Sequence, residues 1–495
     1  MTPDTAELAI ADSAGELADA SAPTPSARLR DGAASRRRMP WLRALDLRTL
    51  DPARATAVRD CWRALWRSRL LVWAAGVGTL LTYGFGPVRH AFNPPGMTRG
   101  FGWLGDLLAA PAARWDAAWY EVIAHYGYRP DLGSFTAPRA AFFPLYPLGL
   151  RAFAGVGVPL VLGGVLISLL ALALALYGIH RLTTLELGAS ARAGGRSLFA
   201  AGAAGEGDGV GRADVARLAV MVTAFAPMAF YLSAVYSEAL YLALSVGLFY
   251  AARRGRFAAV GVLGALAAVT RSAGIVLLLP ALMLYLYGPR EDRPPDFPRA
   301  RALAPRYRLR RDLLWLALVP VGLGLYVAYL GLAGGDPLSP FHAQEVWGRH
   351  FAGPYVGMWD GIRAAFEGAR QLLSGQQAHL YYPITGNSAF VNSEHNLLLL
   401  AFLVAAVVAT AGVLRRLPLA YGAYVIAALA LPLSYPVTAQ PLMSLPRFLV
   451  VLFPLGIWFG AWLAAHPRAQ RPALVGSGLL MAFFVAEFAT WHWVA

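Results

Sequence analysis

The chain has 495 residues, of which 57% are hydrophobic and only 14% charged, against roughly 25% charged residues in soluble globular domains. Water is thereby excluded as the main solvent, and an all-α polytopic membrane protein is expected. The formal net charge of +15 is carried by arginine alone, there being no lysine; in so apolar a chain it reads as membrane orientation and contact with anionic membrane lipids, not nucleic acid, while a single cysteine, Cys61, excludes an intrachain disulfide or a cysteine-built metal site.

Residues 1–40, rich in Ala, Ser, Pro and Asp and then Arg, predict a disordered cytoplasmic tail. Asp4, Glu7, Asp12, Glu16 and Asp19 occupy the place of a signal peptide's basic region. Residues 41–67 predict an interfacial helical segment on the inner face, with Trp62, Leu65 and Trp66 of "RDCWRALWRSR" toward lipid. The membrane domain, 68–495, opens with an apolar run at 68–86. A long polar and aromatic loop, 87–152, follows, and loops beyond about 15 residues usually have a function or are disordered. Within it, "FGWLGDLLAA" predicts a short amphipathic surface helix, and "RWDAAWYEVIAHYGYRP" at 114–130 gathers Arg114, Trp115, Asp116, Trp119, Tyr120, Glu121 and His125.

If 113–125 is helical, Asp116 and Tyr120 lie one turn apart and the tryptophans border the membrane. A carboxylate there has two readings, a general base for a sugar or lipid hydroxyl or an ion-pair partner of Arg114. "FFPLYP", with Tyr146, precedes the second run and shapes either a lipid entrance or an interfacial turn.

Further apolar runs lie at 153–178, 217–234, 238–252, 257–270, 273–288, 312–331, 395–413, 418–435, 448–465 and 472–491, so about 11 spans are expected. The glycine-rich 203–211 lacks the residues of a nucleotide loop and reads as a linker. In "YLSAVYSEALY", Glu238 starts a helix, where a dipole favours an acid and Ser237 or Ser233 is available as a cap; Arg271 in "VTRSAG" is its alternative partner. The second long loop, 332–394, contains "FHAQEVWGRHF" and "WDGIRAAFEGARQLL", which read as surface helices. Its histidines, His342, His350 and His379, together with His395, show no tight metal-ligand spacing, and no metal or cofactor is expected.

With the N-terminus cytoplasmic, Arg181 to Arg212, Arg253 to Arg256, Arg290 to Arg311, Arg415 with Arg416, and Arg468 with Arg471 all fall on inner connections. Both long loops are then extracytoplasmic. Arg271, with Ser272 beside it, and Arg447 in "SLPRF" go against that bias, and their forked guanidinium groups suit a lipid phosphate as well as they suit an acidic partner.

Taken in order, "RWDAAWYEVIAHYGY", "AFFPLYP", "SAVYSEALY" and "TRSAG" resemble the PIG-V-like mannosyltransferases, a branch of the GT-C superfamily of integral-membrane glycosyltransferases. The resemblance covers the N-terminal half of the membrane domain; the C-terminal half contributes helices and "PRF". It implies a GT-C-like helix bundle in a plasma membrane, bacterial by the arginine-only, alanine-rich composition. It also implies metal-free transfer with inversion from a polyprenyl-phosphate sugar to an extracytoplasmic glycolipid or glycan acceptor. Asp116 would be the catalytic base and Glu238 a second catalytic acid able to stand in for it; Tyr236, Ser237 and Glu238 would match the Tyr-Ser-Glu element, and Arg271 and Ser272 the Arg-Ser element. Many relatives carry Asn where this chain has Ala273, so the reaction class carries over and the acceptor does not. A lipid or lipid-linked-sugar flippase is the rival expectation, and it predicts inverted repeats with charges at mid-membrane in both halves.

Overall fold

The computed structural model describes residues 51–87, 89–128, 139–192, 212–297, 304–334, 336–384 and 388–494. The expected tail at 1–40 and the glycine-rich linker at 203–211 lie outside them. Residues Thr56–Ala495 form one compact unit; of 1–55, residues 51–55 are described, and the first helix begins at Pro52. Among the described residues the architecture is helical, with isolated bridges and no strand.

Helix α1, Pro52–Tyr83, is continuous. The described part of the expected interfacial segment and most of the first apolar run are thus one helix of 32 residues, with Trp62 and Trp66 exposed on it; residues 41–50 lie outside the described residues. The first long loop folds into α2 (Gly102–Ala109), α3 (Ala117–Tyr126) and α4 (Leu145–Gly155). As expected from "FGWLGDLLAA", α2 exposes Trp103, Leu104 and Leu108 on one side.

Helix α5, Leu160–Arg192, shows how apolar residues are shared between protein and lipid. Leu172, Leu176, Ile179 and Leu182 are buried, while Leu162, Leu166, Leu170 and Leu174 form an exposed stripe four residues apart. Such a stripe is costly in water and suited to hydrocarbon. The buried side of α5 packs along α7 (Glu238–Arg253), and α6 (Arg212–Ala224) packs on α16 (Phe453–Ala465). Then come α8 (Phe257–Ala268), α9 (Leu278–Tyr287), α10 (Leu318–Gly334), the short α11 (Ser339–His342), α12 (Pro354–Ser374), α13 (Ala389–Arg416), α14 (Leu419–Leu433), α15 (Leu445–Leu449) and α17 (Pro467–Ala489).

Among the described residues, four segments are long and apolar enough to cross a membrane, by length and composition: Leu160–Leu187, Arg311–Gly334, Ala389–Arg416 and Pro467–Ala489. Four more, Phe257–Ala268, Ser272–Tyr287, Leu419–Leu433 and Phe453–Ala465, are apolar but shorter. This is a helical membrane protein in which several expected runs are broken. Helix α6 stops at Ala224, before Pro227, and the rest of 217–234 becomes a turn with a 3₁₀ segment at Ala229–Ser233. Proline lacks the N–H that a continuing helix needs and disfavours helical geometry in the residue before it. Pro159 likewise lies in the break between α4 and α5 within the 153–178 run, and the run 448–465 is divided between α15 and α16.

Candidate active site

Trp115 adopts a left-handed conformation, φ 54°, and so redirects the chain just before α3. Asp116 occupies the N-cap position of α3 but makes no capping hydrogen bond. Its Oδ2 is instead 2.6 Å from Arg447 Nη1, a partner 331 positions away on α15. Arg447 Nε is 3.4 Å from Glu238 Oε1, and Arg271 Nη1 is 2.6 Å from that same oxygen. The result is an alternating chain of charges, Asp116, Arg447, Glu238, Arg271. Glu238 opens α7, where the helix dipole favours a carboxylate. At 1% exposure it would be expensive without paired cations. Its contacts are ionic, without the angles of directional hydrogen bonds.

Aromatic rings and hydroxyls fix this chain of charges. The Arg447 guanidinium lies 5.9, 5.7 and 5.4 Å from the ring centres of Tyr231, Tyr236 and Phe448, and Arg271 lies 5.5 Å from Phe448. Such contacts stabilise a cation that water no longer solvates. Ser237 Oγ is 2.8 Å from Tyr120 OH and accepts from Arg271 Nη1 at 3.3 Å. Tyr236 OH donates to the Arg114 carbonyl at 2.9 Å, tying the turn before α7 to the turn before α3.

The charges edge a cavity of about 320 Å³. Asp116, Tyr120, Arg271, Ser272 and Arg447 line one part of it, and its walls are mainly apolar, with Phe142, Phe143, Leu323, Val327, Ile275 and Leu431 among them. The second long loop supplies Gln344, Trp347 and Arg349. Arg349 donates from Nη1 to the Tyr435 carbonyl and from Nη2 to the Met443 carbonyl, each at 3.2 Å. It also bridges to Val437, antiparallel, so the loop is anchored to the segment before α15. Burial pushes the Arg349 guanidinium down to about 10, with Arg447 acting in the same direction and Asp116 opposing it.

The acids and arginines singled out in the sequence, Asp116, Glu238, Arg271 and Arg447, therefore converge, and Tyr120 and Ser272 join them at the cavity. Arg114 does not pair with Asp116. It donates to the carbonyls of Ala489 and Ala113 and sits 4.7 Å from the centre of the Trp491 ring, at the edge of a smaller cavity with Arg99 and Asn93.

Trp115 packs against Phe92, Trp491 and Trp493, and Trp119 stacks on Phe142. Trp119 is buried by this packing and Trp115 partly so. Tyr146 is fully buried, bonds Gly164 and Ser168 and meets the ring of Tyr120 edge to face, and is not itself among the residues that line the larger cavity. His125 is exposed beside Tyr126. Glu121 is wholly buried without a hydrogen-bond partner; burial pushes its carboxyl up to about 8, against the pull of Arg114.

Arg349, Trp347 and Gln344 are the site residues that the sequence does not single out. They lie in a stretch whose spacing reads as a surface helix, and their role arises only from the contact with residues 435–443. Neither protein-family models nor curated proteins nor solved structures give a match to this chain.

Proposed function

We propose that the chain is a GT-C-like glycosyltransferase that moves a sugar, with inversion, from a polyprenyl-phosphate donor to a hydroxyl of an extracytoplasmic glycolipid or glycan. Mannose is the sugar that the PIG-V-like resemblance implies. The observation that carries the reading is the uncapped Asp116 carboxylate on the wall of a cavity that is apolar along most of its length and charged at one edge. That cavity suits a ligand with a hydrocarbon tail and an anionic, sugar-bearing head.

In this reading Asp116 takes the proton of the acceptor hydroxyl as its oxygen forms a bond to the anomeric carbon. The bond from that carbon to the phosphate oxygen breaks, and the electron pair leaves with the polyprenyl phosphate. Arg447 holds the base through Oδ2; the Asp116 side chain makes no other hydrogen bond among the described residues. Guanidinium groups on the cavity wall offset the negative charge that grows on the departing phosphate. Glu238 acts beneath it by fixing Arg271 and Arg447.

The test is to supply the purified, reconstituted protein with a panel of polyprenyl-phosphate sugars and a lipid acceptor mixture and to follow products by mass spectrometry. A transferred sugar is expected, and Asp116→Asn is expected to lower its formation about 10²-fold or more with the folded fraction unchanged. Movement of the lipid-linked sugar across the membrane with no transferred product would replace this reading with a flippase.

A further inference from the structure

Charge balance around the cavity separates the three arginines that line it. Arg447 faces Asp116 at 2.6 Å and Glu238 at 3.4 Å, and Arg271 faces Glu238 at 2.6 Å. Two cations and two carboxylates thus neutralise one another. Arg349 stands apart: its hydrogen bonds go to the carbonyls of Tyr435 and Met443, and no carboxylate lies within ion-pair distance of it among the described residues. Carbonyl dipoles orient a guanidinium without cancelling its charge. A guanidinium has five N–H donors, and these two bonds leave Nε and one hydrogen on each terminal nitrogen for a ligand.

Arg349 also lines the cavity, as do Trp347, Phe142, Phe143 and Leu323, and Trp347 meets Phe142 edge to face with ring centres 6.1 Å apart. A cation that Asp116 reaches only beyond ion-pair distance, next to an apolar volume, is complementary to an amphiphilic anion. We infer that Arg349 is the phosphate-binding residue of this cavity and that its ligand class is a lipid monophosphate or phosphodiester, whose hydrocarbon tail occupies the apolar wall. Arg271 and Arg447 then hold the two carboxylates in place, and the phosphate does not have to compete with Asp116 or Glu238 for its main contact. The partly desolvated surroundings that depress the Arg349 guanidinium also strengthen its attraction for an anion. The inference rests on the proposed reading of this cavity as the seat of a lipid-phosphate-linked sugar.

The experiment measures binding of three probes to the full chain in detergent: a polyprenyl phosphate, the corresponding polyprenol, and inorganic phosphate. The wild-type protein is expected to prefer the polyprenyl phosphate over the alcohol by roughly tenfold or more, the scale of a charge-assisted contact, and to bind inorganic phosphate far more weakly than either lipid. Arg349→Gln should abolish the preference while leaving polyprenol binding intact, and Arg349→Lys should restore part of it, since an ammonium keeps the charge and loses the fork. Arg349 also pins residues 435–443, so a merely structural role predicts equal losses for phosphate and alcohol in both variants, and that result overturns the inference. A wild-type preference that survives Arg349→Gln overturns the assignment to Arg349 and leaves the proposed function standing. Absence of any preference in the wild type overturns both. Inorganic phosphate binding as tightly as the lipid overturns the lipid class.

Discussion

Glu121 illustrates how one side chain on α3 differs from another five residues away. Asp116 reaches Arg447 across the fold, whereas Glu121 is enclosed with neither carboxylate oxygen hydrogen-bonded. Because burial raises its folded-state pKa from 4.5 to about 8, the folded protein binds more protons than the unfolded chain between those values. Stability is then fully present below about 4.5 and falls as pH rises toward 8. Glu121→Gln removes this titration, so the variant's melting temperature should change less between pH 5 and pH 8 than that of the wild type. Equal slopes in the two proteins would remove Glu121 as the source. Asp116, Glu238, Arg271 and Arg447 were each conspicuous in the sequence, since charges beside apolar runs are expensive and stand out. The pairing of Glu238 with Arg271 was among the readings the sequence offered, whereas the pairing of Arg447 with Asp116 and Glu238 was not legible, because those partners lie hundreds of residues away. Arg349 was not legible at all: an arginine in a polar loop has no distinguishing local pattern.

Helix α12 sorts its residues by size around its circumference. Gly357, Gly361, Ala364, Ala365 and Gly368 are buried, while Tyr355, Trp359, Ile362 and Phe366 are exposed. The small-residue side lets neighbouring backbone approach: a Cβ on Gly357 would collide with the Leu433 carbonyl, and one on Gly361 with the Leu442 side chain. Both contacts fall at or beside the segment that anchors Arg349. Close approach through small residues is the usual means of helix packing in lipid, and the opposite face has the aromatic character of an interfacial helix. Gly361→Leu should overpack this joint, at a cost of about 1–3 kcal/mol, and so lower the melting temperature and weaken polyprenyl-phosphate binding together. Phe366→Ala on the outward face should leave both nearly unchanged in detergent. An unaltered melt for Gly361→Leu would show that α12 is not clamped to this joint. The amphipathic reading of "WDGIRAAFEGARQLL" anticipated the exposed face. The inward face was missed because glycine and alanine carry no hydrophobic signal, although they decide how near the helix can come.

Across the whole molecule, the apolar composition fixes the solvent more firmly than it fixes the path of the chain. Eleven runs were expected, yet prolines and short 3₁₀ turns divide several of them, and hydropathy does not register a break whose flanks are both apolar. The segment Arg311–Gly334 is informative all the same, since its 24 residues, a 3₁₀ stretch of 7 followed by 17 of α-helix, extend roughly 40 Å, enough for a hydrocarbon core of about 30 Å. It separates residues 290–311, which hold eight arginines, from the loop 332–394, which holds three. If this segment crosses the membrane, the two loops face opposite sides, and the positive-inside rule puts the arginine-rich one in the cytoplasm. Arg349 and the cavity then open outward. Cysteine labelling reads this directly, because the sole native thiol, Cys61, is buried and silent toward a polar reagent. Leu380→Cys and Pro295→Cys each place a thiol on an exposed position of one loop. In intact cells a membrane-impermeant maleimide should modify Leu380→Cys at once and Pro295→Cys only after permeabilisation. The reverse pattern would turn the cavity toward the cytoplasm and remove the proposed access to an extracytoplasmic lipid-linked donor. Equal labelling of both before permeabilisation would mean that 311–334 does not span, and the orientation would have to be rebuilt from the other long helices.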